Sequence, residues 1–97
     1  MPYKIFLTTE AKEEYESLKT HSQKGLFTQI KKAIKLLGQN PRHPSLQTHP
    51  YQSISGPNNE KIFEAYAQNK TPSAYRLFWH YGPEKDQITI IAITPHP

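Results

Sequence analysis

The sequence predicts an α+β domain with the element order β-α-α-β-β-β, in which two helices pack on one face of a small, mostly antiparallel sheet. Three observations carry this reading. Residues 10–37 hold two stretches with apolar side chains at helical spacing. Residues 61–94 hold three β-rich runs separated by turn-forming residues. A chain of 97 residues supports one core, so helices and strands have to cover each other, and residues 1–97 read as a single domain.

Tyr3-Lys4-Ile5-Phe6-Leu7-Thr8 is rich in β-favouring side chains and reads as the first strand. Thr8 or Thr9 then stands where a side-chain oxygen caps a helix, with Glu10 and Glu13 against its positive end. Ala11, Tyr15 and Leu18 give a narrow apolar stripe over residues 10–20, which Thr20-His21-Ser22-Gln23 ends. A stronger helix follows, with Leu26, Phe27, Ile30, Ala33, Ile34 and Leu37 on one face and Lys31, Lys32 and Lys35 on the other. Gly38 is expected to close this helix in a left-handed cap, and Pro41 forbids continuation.

From Gln39 to Asn59 the chain is rich in Pro, His, Ser and Asn with few apolar anchors, and reads as one long loop. Loops of that length inside compact domains are commonly functional. Strands are expected at Lys61–Ala67, Ala74–Tyr81 and Gln87–Thr94, joined by turns at 68–73 and 82–86. In the middle run Tyr75, Leu77, Trp79 and Tyr81 alternate with Ala74, Arg76, Phe78 and His80. The first set suits the helices. The second face is expected to be open, and Arg76 and His80 make it the place for a site.

Charge is uneven. Residues 1–16 carry a net −2, residues 17–61 a net +6, and residues 62–97 balance. The basic middle fits either a polyanionic partner or a solvated lysine face. The absence of cysteine excludes a disulfide scaffold, a thiolate nucleophile and the usual structural zinc sites. No apolar run reaches the ~20 residues of a membrane span, and residues 1–4 lack a signal-peptide core, so a soluble cytoplasmic protein without membrane contact is expected. His43, His49 and His96 have no acidic cluster beside them, so no metal site and no cofactor are expected.

Three stretches resemble the RelE/ParE superfamily of type II toxin-antitoxin toxins. Asn40-Pro41-Arg42-His43-Pro44-Ser45-Leu46-Gln47-Thr48-His49 is similar to the segment after the second helix in many RelE-like toxins. Ala74-Tyr75-Arg76-Leu77-Phe78-Trp79 resembles the family's arginine strand, and Ile90-Ile91-Ala92-Ile93-Thr94-Pro95-His96 resembles the closing strand of the YoeB and YafQ branches. The resemblance implies a RelE-like fold and a metal-independent mRNA endoribonuclease acting on ribosome-bound message. It also implies a cognate antitoxin, growth arrest on release, and a homodimer or toxin-antitoxin hetero-oligomer.

By that resemblance Arg76 contacts the scissile phosphate, while His49 as base and His96 as acid share proton transfer, with His43 and His80 as possible additional participants. Imidazoles suit proton transfer near neutral pH, and a guanidinium suits a phosphate. Lys31, Lys32, Lys35, Arg42 and Lys61 would meet RNA through phosphate contacts. Plainer roles stand beside these: Arg76 paired with Glu64 on a neighbouring strand, His43 as a loop residue, His80 as a packing residue. Two other functions stay open within the same fold, a non-catalytic ParE-like gyrase inhibitor and an inactive RelE-like domain that only binds an antitoxin.

Overall fold

The computed structural model describes residues 2–22, 24–68 and 74–95. Its elements are β1 (Lys4–Leu7), α1 (Thr9–His21), α2 (Lys24–Gln39), a short 3₁₀ turn (Pro44–Leu46), β2 (His49–Ser55), β3 (Lys61–Tyr66), β4 (Tyr75–Tyr81) and β5 (Gln87–Pro95). The five strands form one sheet in the order β1-β5-β4-β3-β2. β1 runs parallel to β5, and every other neighbouring pair is antiparallel.

Thr8 caps α1, its hydroxyl accepting the Ala11 N–H, and Ser22 closes it with an N–H to the Leu18 carbonyl. Both helices lie on one face of the sheet. Ala11 and Leu18 of α1 and Ile30, Ala33 and Leu37 of α2 join Ala65, Leu77, Trp79, Ile88, Ile90 and Ile93 in one buried cluster. Truncating a core position such as Leu77 to alanine costs about 2–5 kcal/mol in comparable cores.

β5 reaches this core by breaking its own alternation. Leu77 pairs with Ile93 and Phe78 with Ala92, but Trp79 pairs with Ile90, so Ile91 is an extra residue in the ladder. This β-bulge turns Ile88, Ile90 and Ile93 all toward the helices.

Two expectations are corrected here. Gly38 is not a left-handed cap: it lies within α2, which continues to Gln39. A Cβ at Gly38 would come within 3.1 Å of Ile5 Cγ1 and 3.3 Å of the Tyr3 carbonyl oxygen, and the Tyr3 N–H donates to the Gly38 carbonyl at 2.7 Å. The glycine is what lets β1 lie directly on α2. Nor is 39–59 one loop. It contains the 3₁₀ turn, which buries Leu46, and the edge strand β2. β2 carries Pro50 and only Tyr51 and Ile54 as large apolar residues, because an edge strand has little to bury.

The turn expected at 68–73 lies largely outside the described residues. Among those described, no helix is long and apolar enough to cross a membrane.

Candidate functional site

β3 alternates Ile62, Glu64 and Tyr66 with Phe63 and Ala65. Its register with β4 sets Glu64 opposite Phe78 and Tyr66 opposite Arg76, on the face away from the helices. Glu64 is 1% exposed and Arg76 5%. A carboxylate and a guanidinium buried this deeply need partners. The two Glu64 oxygens divide the work: Oε1 lies 2.8 Å from His49 Nε2, and Oε2 lies 4.0 Å from Arg76 Nε. Arg76 Nη1 donates to the Ala74 carbonyl at 2.8 Å, and the guanidinium stacks 3.9 Å from the centroid of the Tyr66 ring. Arg76 Nε is buried without a hydrogen-bond partner, so its tie to Glu64 is Coulombic.

His49 is held from both sides. Gln47 takes a left-handed backbone conformation (φ 48°) at the end of the 3₁₀ turn, and its carbonyl oxygen lies 2.8 Å from His49 Nδ1. The two contacts orient the imidazole, with Nδ1 toward the Gln47 carbonyl and Nε2 toward the Glu64 carboxylate.

The expectation of an open second face is overturned. Arg76 and His80 are both buried, the latter at 3% exposure. Tyr66 of β3 stacks on the Arg76 guanidinium, and β2 covers other residues of the same face: the Tyr51 ring packs T-shaped on Phe78 of β4 at 5.0 Å, reaching across β3, while His49 lies edge-on to Tyr66 at 6.2 Å. A face read as bare was missing the strand that shields it.

The remaining sequence-derived residues do not converge on this cluster. His43 caps the 3₁₀ turn, its Nδ1 accepting the Ser45 N–H at 3.2 Å. His80 shares the sheet face, but its Nδ1 donates to the Tyr81 carbonyl and its Nε2 lies 4.0 Å from Glu60. The backbone N–H groups of Asn58 and of Glu60 itself hold the Glu60 carboxyl below the usual carboxylate range. Lys31, Lys32 and Lys35 are exposed on α2, on the other side of the sheet. Arg42 is exposed and bonds the hydroxyl of Tyr81, at the opposite end of β4 from Arg76, so the two arginines form no joint clamp. Burial pushes the Tyr81 hydroxyl up. Lys61 is exposed, its ammonium 5.6 Å over the Phe63 ring. His96 lies outside the described residues.

Tyr66, Tyr51 and Glu60 were not singled out in the sequence, although they complete the surroundings of Arg76 and His80. The signal for Tyr66 was its two-residue offset from Glu64, which puts both on one strand face. Tyr51 and Glu60 give none, because Tyr51 lies on β2 and Glu60 in the connection from it to β3, both within or beside the stretch that reads as loop. A separate cleft of about 210 Å³ lies between α2, the 3₁₀ turn and the end of β3, lined by Lys32, Ala33, Leu36, Leu46 and Tyr66 among others. Among the described residues no group of three or more His, Asp or Glu side chains is arranged to hold a metal.

Two helices on one face of a sheet ordered β1-β5-β4-β3-β2 constitute a RelE/ParE-like toxin fold. Among solved structures, the YoeB/ParE toxin from Agrobacterium tumefaciens superposes with a TM-score of 0.73 at 12% identity, covering 97% of this chain and 99% of that one. The YoeB dimer from Staphylococcus aureus gives 0.68 at 15% identity over the whole of both chains. A chain of the E. coli DinJ-YafQ toxin-antitoxin complex gives 0.66 at 16%, covering 99% and 94%. No protein-family model and no curated protein sequence matches the chain.

Proposed function

We propose that the chain is the toxin of a type II toxin-antitoxin pair and that it cleaves ribosome-bound mRNA without a metal. The observation that carries this is the His49–Glu64–Arg76 cluster on a RelE-like fold, an oriented imidazole and a guanidinium that meet at one buried carboxylate. In the reaction the ribose 2′-hydroxyl loses its proton and attacks the adjacent phosphorus. The bond to the 5′-oxygen breaks, leaving a 2′,3′-cyclic phosphate, and that oxygen takes up a proton.

Arg76 holds the phosphate and the charge that builds on it, a contribution of the order of 3 kcal/mol in comparable sites. With Nδ1 turned to Gln47, Nε2 is the nitrogen His49 offers for proton transfer once it turns from Glu64 toward the ribose. His96 is the proposed second proton-transfer group. Lys31, Lys32, Lys35, Arg42 and Lys61 supply sequence-neutral attraction to RNA from other surfaces. The partners on this reading are a cognate antitoxin, mRNA and the ribosome, and the setting is the cytoplasm.

Cleavage of message on purified ribosomes, together with growth on induction, tests this. Arg76→Ala and His49→Gln are expected to lose cleavage by about 10²-fold or more and to relieve growth arrest. Full cleavage by both variants refutes the mechanism. The burial of Arg76 and Glu64 favours a second role, binding an antitoxin without catalysis. A wild-type chain that captures its antitoxin yet leaves ribosome-bound message intact would establish that role instead.

A further inference from the structure

We infer that the cleft between α2, the 3₁₀ turn and the end of β3 is a subsite for a guanine base. The inference deepens the nuclease proposal, on which it rests for the source of the base though not for the geometry that recognises it. The cleft exists because β2 starts too late to close it. The ladder between β2 and β3 begins at His49 and Glu64, so among the described residues no strand flanks the outer side of β3 at Tyr66. The 3₁₀ turn and α2 form the walls there instead. Ala33, Leu46 and Ala67 are buried and make an apolar floor, with Leu36 and Tyr66 beside them. The volume of about 210 Å³ equals roughly seven waters at ~30 Å³ each. That is enough for one flat base and too little for a helix about 10 Å across.

One backbone group fixes the polar rim. The Tyr75 N–H donates to the Gln68 side chain at 2.8 Å, so the amide atom it meets is the oxygen. Gln68 therefore presents its Nε2 to Gln29, donating to that side chain at 3.1 Å. Gln29 answers with its own oxygen, which leaves its Nε2 with two protons and no acceptor among the described residues. Lys32 stands three residues further along α2, on the same wall of the cleft, and its ammonium is also a donor. Two neighbouring donors match a base edge that carries two neighbouring acceptors, and guanine has one in its O6 and N7. Adenine places an amino group where guanine has O6, donor against donor. Uracil offers one acceptor on that edge, and cytosine an amino group.

Tyr66 joins the subsite to the candidate site. Its ring lines the cleft, and the Arg76 guanidinium stacks 3.9 Å from its centroid. Proteins that read single-stranded RNA hold unstacked bases against aromatic rings and bond their edges. A base in this cleft lies one side chain away from the arginine assigned to the phosphate.

Chemical-shift titration of the wild type tests this, read at the side-chain amides of Gln29 and Gln68 and the backbone amides of Lys32 and Ala67. Addition of 5′-GMP is expected to shift these signals, with an affinity about fivefold or more above that of 5′-AMP, the lower end of what a paired edge contact discriminates. Gln29→Glu keeps the oxygen that Gln68 needs and turns the free donor into an acceptor, at an exposed helix position. It is expected to bring the affinity for GMP down to that for AMP or below. Equal affinities for GMP and AMP in the wild type, or the same shifts with inorganic phosphate alone, would overturn the subsite. So would a folded Gln29→Glu variant that keeps the preference.

A trinucleotide UGU built on 2′-O-methyl ribose cannot be cut, and it is expected to shift the same amides where UAU does not. A preference shown by GMP and absent from UGU upholds the guanine subsite and assigns it to free nucleotides. These readouts need no catalysis. Guanine-specific shifts in a chain that cleaves nothing leave the subsite standing and remove only the nuclease. Cleavage of message by a chain whose cleft signals ignore GMP does the reverse.

Discussion

Replacing Glu64 with glutamine probes the buried cluster without changing its shape. The carboxylate stands 4.0 Å from Arg76 Nε, where two unit charges attract by about 4 kcal/mol at an effective dielectric constant of 20. Removing one member of a buried pair strands the other charge and typically costs about 3–5 kcal/mol. His49 changes this little, because its side chain is 46% exposed and such pairs contribute about 1 kcal/mol or less. Glu64→Gln is therefore expected to lower stability by about 3 kcal/mol, a fall of roughly 12–24 °C in Tm for a domain this size. Arg76→Met should cost a comparable amount. The double variant should fall short of the sum by more than about 1 kcal/mol, because neither charge is then left alone. Urea unfolding followed by the fluorescence of Trp79, the sole tryptophan and fully buried, measures all three. A loss below about 0.5 kcal/mol for Glu64→Gln, or strict additivity, would refute the claim that Glu64 holds Arg76 in place.

Burial against β5 pushes the Glu14 carboxyl up from the ordinary value of 4.5, and the Ile93 N–H it accepts offsets only part of this. The native state then binds the proton more tightly than the unfolded chain. Stability is lost as pH rises from the ordinary carboxylate value through the raised native one, and the penalty is full above it. Glu14→Gln should gain on the wild type at neutral pH, and thermal melts should show the difference shrinking as pH falls through the raised native value and gone below 4.5. A gap that does not change with pH would contradict this. The two glycines of α2 should respond with opposite signs. At Gly25 a Cβ meets nothing within 4 Å, so Gly25→Ala should stabilise by about 0.5–1 kcal/mol. Gly38→Ala should destabilise by about 1–2 kcal/mol despite better helix propensity, because its Cβ strikes Ile5 and the Tyr3 carbonyl. Chemical denaturation of both variants checks the pair, and a more stable Gly38→Ala would show that β1 is free to retreat.

The helices were legible because their apolar positions repeat over several turns, and β4 because seven residues alternate cleanly. Those patterns follow from local geometry that any window of sequence displays. β2 was not legible. It has no apolar alternation, since Ile54 is itself exposed, and the residues that His49 and Tyr51 meet are 15 or more positions away. The bulge at Ile91 was hidden in a run of isoleucines, where either register places something apolar inward. Arg76, Glu64 and His49 were each visible as residues, and Arg76 with Glu64 even as a pair. Their burial was not, because burial of one sheet face depends on a strand that the composition disguised. Gly38 was read by its commonest use, and only the position of Ile5 reveals the other.

The parallel pairing of β1 with β5 joins Lys4 to Gln87 and Leu7 to Ile90, the first strand of the chain to the last. β5 also stands between β1 and β4, so until it arrives β4 lacks one of its two neighbours and β1 has none. Folding during synthesis usually begins from the N-terminal side at about 5–20 residues per second, but this sheet gains nothing from that head start. A nascent chain still inside the ribosomal tunnel at residue 87 holds helices without a completed sheet behind them. The cluster around Arg76 is therefore assembled late, because β4, which carries the arginine, is flanked on one side only until β5 has been added.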